Sequence, residues 1–338
     1  MTKEKHIPMP ARYGINLALI VLFMVVGNLI INGGITTRAQ NSVILQIGVY
    51  IILAVSLNIA TGYLGQLPLG HAGFMAVGAY AGALVWKSTV AMGSVPSIIL
   101  GLLVAGLVSA VFGIIIGIPA LRLKGDYLAI VTLGFGEIIR VCIINLPSIT
   151  GGTPGLLNIP KYSNFNLVYI CVILTCIIIH MVMKSRHGRA ILSIRENEIA
   201  AEACGINTTY YKVMAFALSA FFAGMAGALY AGCQGSLFPG TFDFMASINI
   251  LVMVVLGGMG SMVGSVIAAT ILTYLPLALQ RFNTYRMVIY AVLLIVVMIF
   301  KPSGLMGTYD FSLSHLLEKF MNFIRRKKDK SKGAEANE

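Results

Sequence analysis

Charged side chains make up only 11% of this 338-residue chain, where a soluble domain carries about a quarter. The shortage excludes water as the main solvent. Acidic residues number 12, most of them toward loops or ends, and no Ser/His/Asp or paired-carboxylate constellation stands out for acid–base chemistry. The dipeptide Gly-Lys is absent, so the chain has no G-x-x-x-x-G-K-[ST] loop to cradle nucleotide phosphates. Five histidines (His6, His71, His180, His187, His315) are scattered without HExxH spacing, which excludes the common zinc motifs. Five cysteines (Cys142, Cys171, Cys176, Cys204, Cys233) are odd in number, lack CxxC spacing and read as small apolar residues. No cofactor or metal is expected to bind this chain.

What is present is apolar. Hydrophobic residues make up 58%, and mean hydropathy is +0.88. Runs approaching the roughly 20 residues needed to cross a bilayer recur from Tyr13 to Phe300. The 36 glycines suit helices that approach closely in lipid. The expected fold is therefore all-α, a polytopic membrane protein with about ten transmembrane helices, near 13–33, 42–61, 70–86, 95–119, 127–146, 166–184, 212–232, 245–260, 264–280 and 285–300. The eighth and ninth are also readable as one helix broken at Gly257-Gly258-Met259-Gly260-Ser261. The run from Ile15 to Ile31 follows Lys3, Lys5 and Arg12 and lacks a small-residue cleavage site, so it reads as an uncleaved first span.

Charge parity orients the chain. With ten spans and a cytoplasmic N-terminus, 18 of the 24 Lys and Arg fall inside, and five (Arg38, Lys87, Lys161, Arg281, Arg286) fall outside. Merging the eighth and ninth spans would put the basic tail on the wrong side, which favours a glycine hairpin or re-entrant turn. The division is a cytoplasmic tail 1–12, a membrane domain 13–307 with a cytoplasmic loop 185–211, and a basic cytoplasmic tail 308–338. The net charge of +12 owes much to that tail, so it points to an anionic membrane face and not to nucleic acid.

Four segments carry polar chemistry. Glu137 and Arg140 share one helical face in the fifth span, either beside a translocation path or as an ion pair that fixes packing. The stretch Gly62 to Gly73, with Gln66 and His71, reads as irregular backbone lining a path or as a close-packed connection. Thr150-Gly-Gly-Thr-Pro-Gly155-Leu156 is turn chemistry, either an external cap that meets a solute-binding partner or an ordinary loop. In the 185–211 loop, Asn197 suits a helix start, Gly205 its end, and Ile199, Ala203 and Ile206 recur at helical spacing. That short amphipathic helix either docks on another protein or lies solvated.

Glu198-x-Ala200-Ala201-x-x-x-Gly205 resembles the EAA-type loop by which ABC importer permeases contact their ATPases, with Gly205 one residue late. Over residues 42 to 307 the chain is similar to branched-chain amino acid ABC transporter permeases of the LivM type. The landmarks are Gly65-Gln66-x-x-x-Gly70-His71-Ala-Gly73-Phe74, Gly125-Asp126-Tyr127 through Thr132 and Glu137 to Arg140, Thr150-Gly-Gly-x-x-Gly155-Leu156, Ile194-Arg195-Glu196-x-Glu198, Met253 to Ser261 and Pro302-x-Gly304-Leu305-x-Gly307. Leu277 departs from the pattern, where an acidic residue is expected after Pro276.

The resemblance implies a type II importer-like permease in the bacterial cytoplasmic (inner) membrane with both termini cytoplasmic. It implies a second LivH-type permease, two ABC ATPase subunits that hold ATP-Mg, and a periplasmic or lipid-anchored binding protein delivering leucine, isoleucine or valine. Urea or short amides are alternative cargoes, and an ion-coupled secondary carrier using Glu137 or Asp126 is the rival class. On this reading Arg195, Glu196, Glu198, Ala200, Ala201, Gly205 and Ile206 couple to an ATPase, while Gln66, His71, Thr132 and Glu137 are candidates for the substrate pathway.

Overall fold

By its internal contacts the chain divides into residues 1–36 with 309–338, and residues 37–308. The computed structural model describes residues 37–280 apart from Lys124, with scattered positions at 24–29 and 285–307. Most of the expected first span and both tails lie outside the described residues, and the tenth span is described only in part.

The helices numbered below each begin at a short polar side chain or a glycine. Thr37 and Gln40 form a reciprocal capping box that opens α1 (Arg38–Asn58), which continues into a π-helical turn at Ile59–Tyr63. An irregular segment, 64–70, leads to α2 (His71–Ser88). Then come α3 (Ser94–Ala120), α4 (Asp126–Ile144), α5 (Phe165–Lys184), α6 (Arg186–Glu196), α7 (Glu198–Ala203), α8 (Thr208–Gln234), α9 (Phe244–Gly257) and α10 (Met262–Ala278). Extended pairing among the described residues is limited to one isolated antiparallel bridge, Leu156 to Leu237.

Among the described residues, five helices are long and apolar enough to cross a membrane: Ala39–Tyr63, Ser94–Ala120, Asp126–Ile144, Phe165–Lys184 and Thr208–Gln234. They fall on the expected second, fourth, fifth, sixth and seventh spans. The eighth and ninth match the hairpin reading in position but are short. They are two separate helices of 14 and 17 residues, so α9 is only about 21 Å long against a hydrocarbon core of about 30 Å. α9 starts part-way down the bundle, since Phe242 meets Tyr80 in the middle of α2 at a centroid distance of 6.2 Å. One turn later the Ser247 hydroxyl accepts a hydrogen bond from Ala72 N at 3.0 Å. Between α9 and α10, Gly258 (φ 108°) and Gly260 (φ 88°) adopt left-handed backbone and Ser261 caps α10, so the glycine run forms a tight hairpin and not a kink.

α8 is the hub, packed against α3, α2 and α1. A Cβ at Gly78 of α2 would collide with the backbone of Gly224 in α8, and one at Gly224 would collide with Ser109 and Ala105 of α3. In lipid there is no hydrophobic drive between helices, so this close approach supplies dispersion contact instead. The Ser109 hydroxyl also donates to Phe74 O at 3.0 Å across the interface. Residue pairings along these contacts run α2, α4 and α8 in one direction and α1 and α3 in the other.

Two ends result. At one, the 146–164 connection folds over the ends of α2 and α8, with Leu156 and Leu237 exchanging backbone bonds, Ile159 N donating to Gly235 O, and Trp86 edge-on to Tyr162. At the other lie the π turn, the glycine hairpin and α6–α7.

Gly224→Leu overpacks the α2–α3–α8 contact and is expected to lower the unfolding midpoint in detergent by the equivalent of 3 kcal/mol or more, beyond the usual overpacking cost of about 1–3 kcal/mol. Ser109→Ala, which only removes a hydrogen bond, should cost about 0.6 kcal/mol. Equal effects would contradict the backbone-contact account.

Candidate functional site

The segment after α5 folds as two short helices because three polar residues cap successive starts. Ser185 accepts from His187 N and opens α6, Asn197 accepts from Ala200 N and opens α7, and Asn207 accepts from Tyr210 N and opens α8. α6 buries Gly188, Ala190, Ile191 and Ile194, while α7 ends at Gly205 (φ 83°), whose N–H donates to Glu202 O. Sequence reading found α7 and its two punctuating residues but not α6. Its signals were the Ser185 cap and the i, i+3 pair Ile191 and Ile194.

Arg195 holds this elbow to the rest of the bundle. Its Nη1 donates to Gly62 O at 2.8 Å, while Nε and Nη2 hold Glu196 Oε1 at 3.1 and 2.6 Å. The side chain lies against Gly65, where a Cβ would press on its Cγ. Gly62 is itself packed on the glycine hairpin, for Asn58 Oδ1 accepts from Gly260 N at 2.9 Å and Asn58 Nδ2 donates to Ser261 O at 3.1 Å. One guanidinium and one carboxamide therefore join the elbow, the π turn and the α9–α10 turn.

The second tether is ionic. Lys212, with a side chain 5% exposed, pairs with Glu198 at 2.6 Å and fastens α7 to α8. Of the remaining residues assigned to coupling, Ala201 is buried inside this chain and Ile206 is half-buried, whereas Glu196, Ala200 and Gly205 are exposed. The expected apolar face of Ile199 and Ala203 does not pack on this chain. Ile199 is 77% exposed and Ala203 is also exposed, because α7 turns its alanine at 201 inward.

Of the pathway candidates, Thr132 stands where segment 64–73 meets α4, whereas His71 faces α1. Segment 64–73 packs on α4 so tightly that a Cβ at Gly70 would overlap the Thr132 carbonyl. Thr132 is buried, donates to Leu128 O and Ala129 O and accepts from Leu69 N at 2.9 Å, so its hydroxyl fixes the loop. His71 is buried too, with its Nε2 3.0 Å from Ser56 Oγ. Gln66 is half-buried in the irregular segment. Glu137, on the same helix as Thr132, makes an i, i+3 ion pair with Arg140 at 2.8 Å, both about one-third exposed. Of the four, only Gln66 and Glu137 keep partial exposure, and no group of three or more His, Cys, Asp or Glu capable of holding a metal occurs among the described residues.

A family model described as "Branched-chain amino acid transport system / permease component" matches residues 40–298. The chain belongs to this family. Among curated proteins the permease is similar to the high-affinity branched-chain amino acid transport system permease protein LivM of Salmonella typhimurium, 38% identical over 292 residues that cover 76% of this chain and 68% of the relative. LivM of Escherichia coli strain K12 matches with the same identity and coverage. Identity to LivH of Salmonella typhimurium is 25% over 281 residues, 76% of this chain and 91% of that protein. No solved structure gives a significant match. The matched region contains the Arg195 elbow, the glycine hairpin and the α4 seam, so the permease carries these features within the part shared by its family.

Glu198→Gln removes the carboxylate from a nearly buried ammonium and is expected to cost about 1.5–3 kcal/mol. The Glu198→Gln/Lys212→Met double variant should recover part of it, read as a coupling energy in a thermal double-mutant cycle. Thr132→Val should lower stability by about 1–3 kcal/mol through the unpaired Leu69 N–H while leaving substrate preference unchanged in uptake competition.

Proposed function

We propose that this permease forms half of the translocation unit of an ABC importer for leucine, isoleucine and valine, paired with a LivH-type subunit and driven by two ATPases that bind ATP and Mg²⁺. The observation that carries this reading is α7, a helix clamped from behind by Glu198–Lys212 and Arg195–Gly62 yet presenting Ile199, Ala200 and Ala203 outward. An apolar face on a rigidly tethered surface helix suits insertion into a groove on another protein. The cations Lys184, Arg186, Arg189 and Arg195 gather at this elbow, which supports a cytoplasmic placement by the positive-inside rule.

In this mechanism, closure of the ATPases pushes α6–α7. The push reaches the π turn through Arg195 and the glycine hairpin through Asn58, so α1, α9 and α10 rock against the paired permease. Substrate arrives from a periplasmic or lipid-anchored binding protein. Gln66 and Glu137 are the pathway candidates with reach to a ligand, while Thr132 and His71 set the position of the 64–73 segment. Urea or a short amide suits the same charge-poor walls. The carrier reading is weaker because Glu137 is already paired with Arg140, whereas a proton-coupled carboxylate must change charge during the cycle.

Ile199→Glu and Ala203→Trp alter only exposed positions. Each is expected to strip the ATPases from the purified complex and to cut ATP-dependent uptake of labelled leucine by more than about tenfold. Retention of both ATPase association and uptake would sink the coupling assignment. Gradient-driven uptake by the lone chain without ATP would favour the carrier, and urea competing where leucine does not would reassign the cargo.

A further inference from the structure

The surface between α3, α5 and α8 holds a groove of about 890 Å³, within the range of small-molecule sites of about 300–1,000 Å³. Its walls are Ala110 and Ile114 of α3, Met181 of α5, and Val213, Ala217 and Phe221 of α8. Almost all of its surface is apolar, and the lining residues with polar side chains, Ser185, His187, Thr209 and Tyr210, all belong to the end where α6 and α8 start.

That end is where two helices begin. Ser185 caps α6 and Asn207 caps α8, and neither helix has an acidic residue in its first turn. The positive ends of both dipoles are thus left without a side-chain carboxylate. The two starts adjoin, as His187 and Tyr211 stand with ring centroids 6.0 Å apart. Lys184, Arg186 and Arg189 are exposed around the same point. α3, α5, α6 up to Arg195 and α8 contain no Asp or Glu at all, so the walls offer these cations no counter-ion.

We propose that this groove is a binding site for one anionic phospholipid, with an acyl chain along α3, α5 and α8 and the headgroup phosphate at the starts of α6 and α8 beside Arg186, His187 and Arg189. The separation into an apolar slot and a cationic mouth matches the two halves of a lipid molecule. Helix N-termini bind phosphate oxygens through free backbone N–H groups, and each nearby Lys or Arg adds attraction to an anionic headgroup. Because the phosphate sits on the Ser185 junction between α5 and α6, the lipid braces the elbow, and coupling becomes sensitive to the anionic lipid content of the leaflet. This consequence rests on the coupling role proposed for α6–α7, whereas the binding site does not.

The test is native mass spectrometry of the full chain taken from nanodiscs of phosphatidylglycerol and phosphatidylcholine in equal parts, with lipid extraction as a second readout. The wild-type chain should retain one phosphatidylglycerol in preference to phosphatidylcholine. Ala217→Trp, which fills the slot, should abolish retention of either lipid. Arg186→Gln/Arg189→Gln, both exposed and compatible with folding, should lower the preference for phosphatidylglycerol by at least about tenfold while the slot still takes a chain. The site is overturned if the double variant keeps full preference, or if Ala217→Cys cross-links to residues within 13–33 and so shows the groove filled by protein. Loss of ATP-dependent uptake in phosphatidylcholine alone, with the lipid site confirmed, supports the link to coupling. Unchanged uptake there refutes that link and leaves the site standing.

Discussion

The hydrogen bond from Arg195 to the Gly62 carbonyl is the contact on which the joining of the α6–α7 elbow to the π turn depends. A π turn at the end of α1 departs from the regular i to i−4 ladder, and a backbone carbonyl left without a donor in a low-dielectric setting costs several kcal/mol. Arg195 supplies that donor from a helix 133 residues away in sequence. Its guanidinium suits the task because it stays charged and presents several donors in a fixed fork, so it serves Gly62 and Glu196 together. The same π turn touches the α9–α10 hairpin through the neighbouring Asn58, so a single polar junction joins a surface elbow to that glycine hairpin.

Around that junction the bundle is held by shape. Small residues on α2, α3 and α8 let three backbones meet where side chains would otherwise intervene, and lipid offers no alternative force to bring them together. Rigid contact there and polar contact at the elbow divide the labour: the first holds three helices as one body, and the second fastens the elbow to it. Four polar side chains within the bundle, Ser56, Thr132, Ser219 and Ser247, bond to backbone or to a neighbouring side chain on another element. A membrane interior tolerates polar groups when each has a partner.

Much of this was legible beforehand. α3, α4, α5 and α8 begin and end within a few residues of their expected places, because a bilayer demands about 20 apolar residues of any spanning helix and the pattern is local. Asn197 and Gly205 marked α7 correctly, since capping depends on residues three or four apart. The apolar spacing of Ile199 and Ala203 was equally visible, but spacing does not say which face the chain keeps for itself, and the buried position is Ala201. That His71 and Thr132 are polar was visible in the sequence, but what they bond to was not. Their hydroxyl and imidazole partners, Leu69 N and Ser56 Oγ, come from packing that no window of sequence displays.

What the sequence alone determined is therefore the set of properties decided by neighbours along the chain: a helical membrane protein, the places where helices start, the lack of a nucleotide loop, and the family resemblance carried by ordered motifs. What only the tertiary structure decided is how far α9 reaches, which donor meets Gly62, that Lys212 secures Glu198, and that an apolar slot opens between α3, α5 and α8. The physical reason is common to all four. Hydropathy and capping act within a few residues, whereas an unsatisfied carbonyl, a buried ammonium or a gap between helices exists only once distant segments have been brought together.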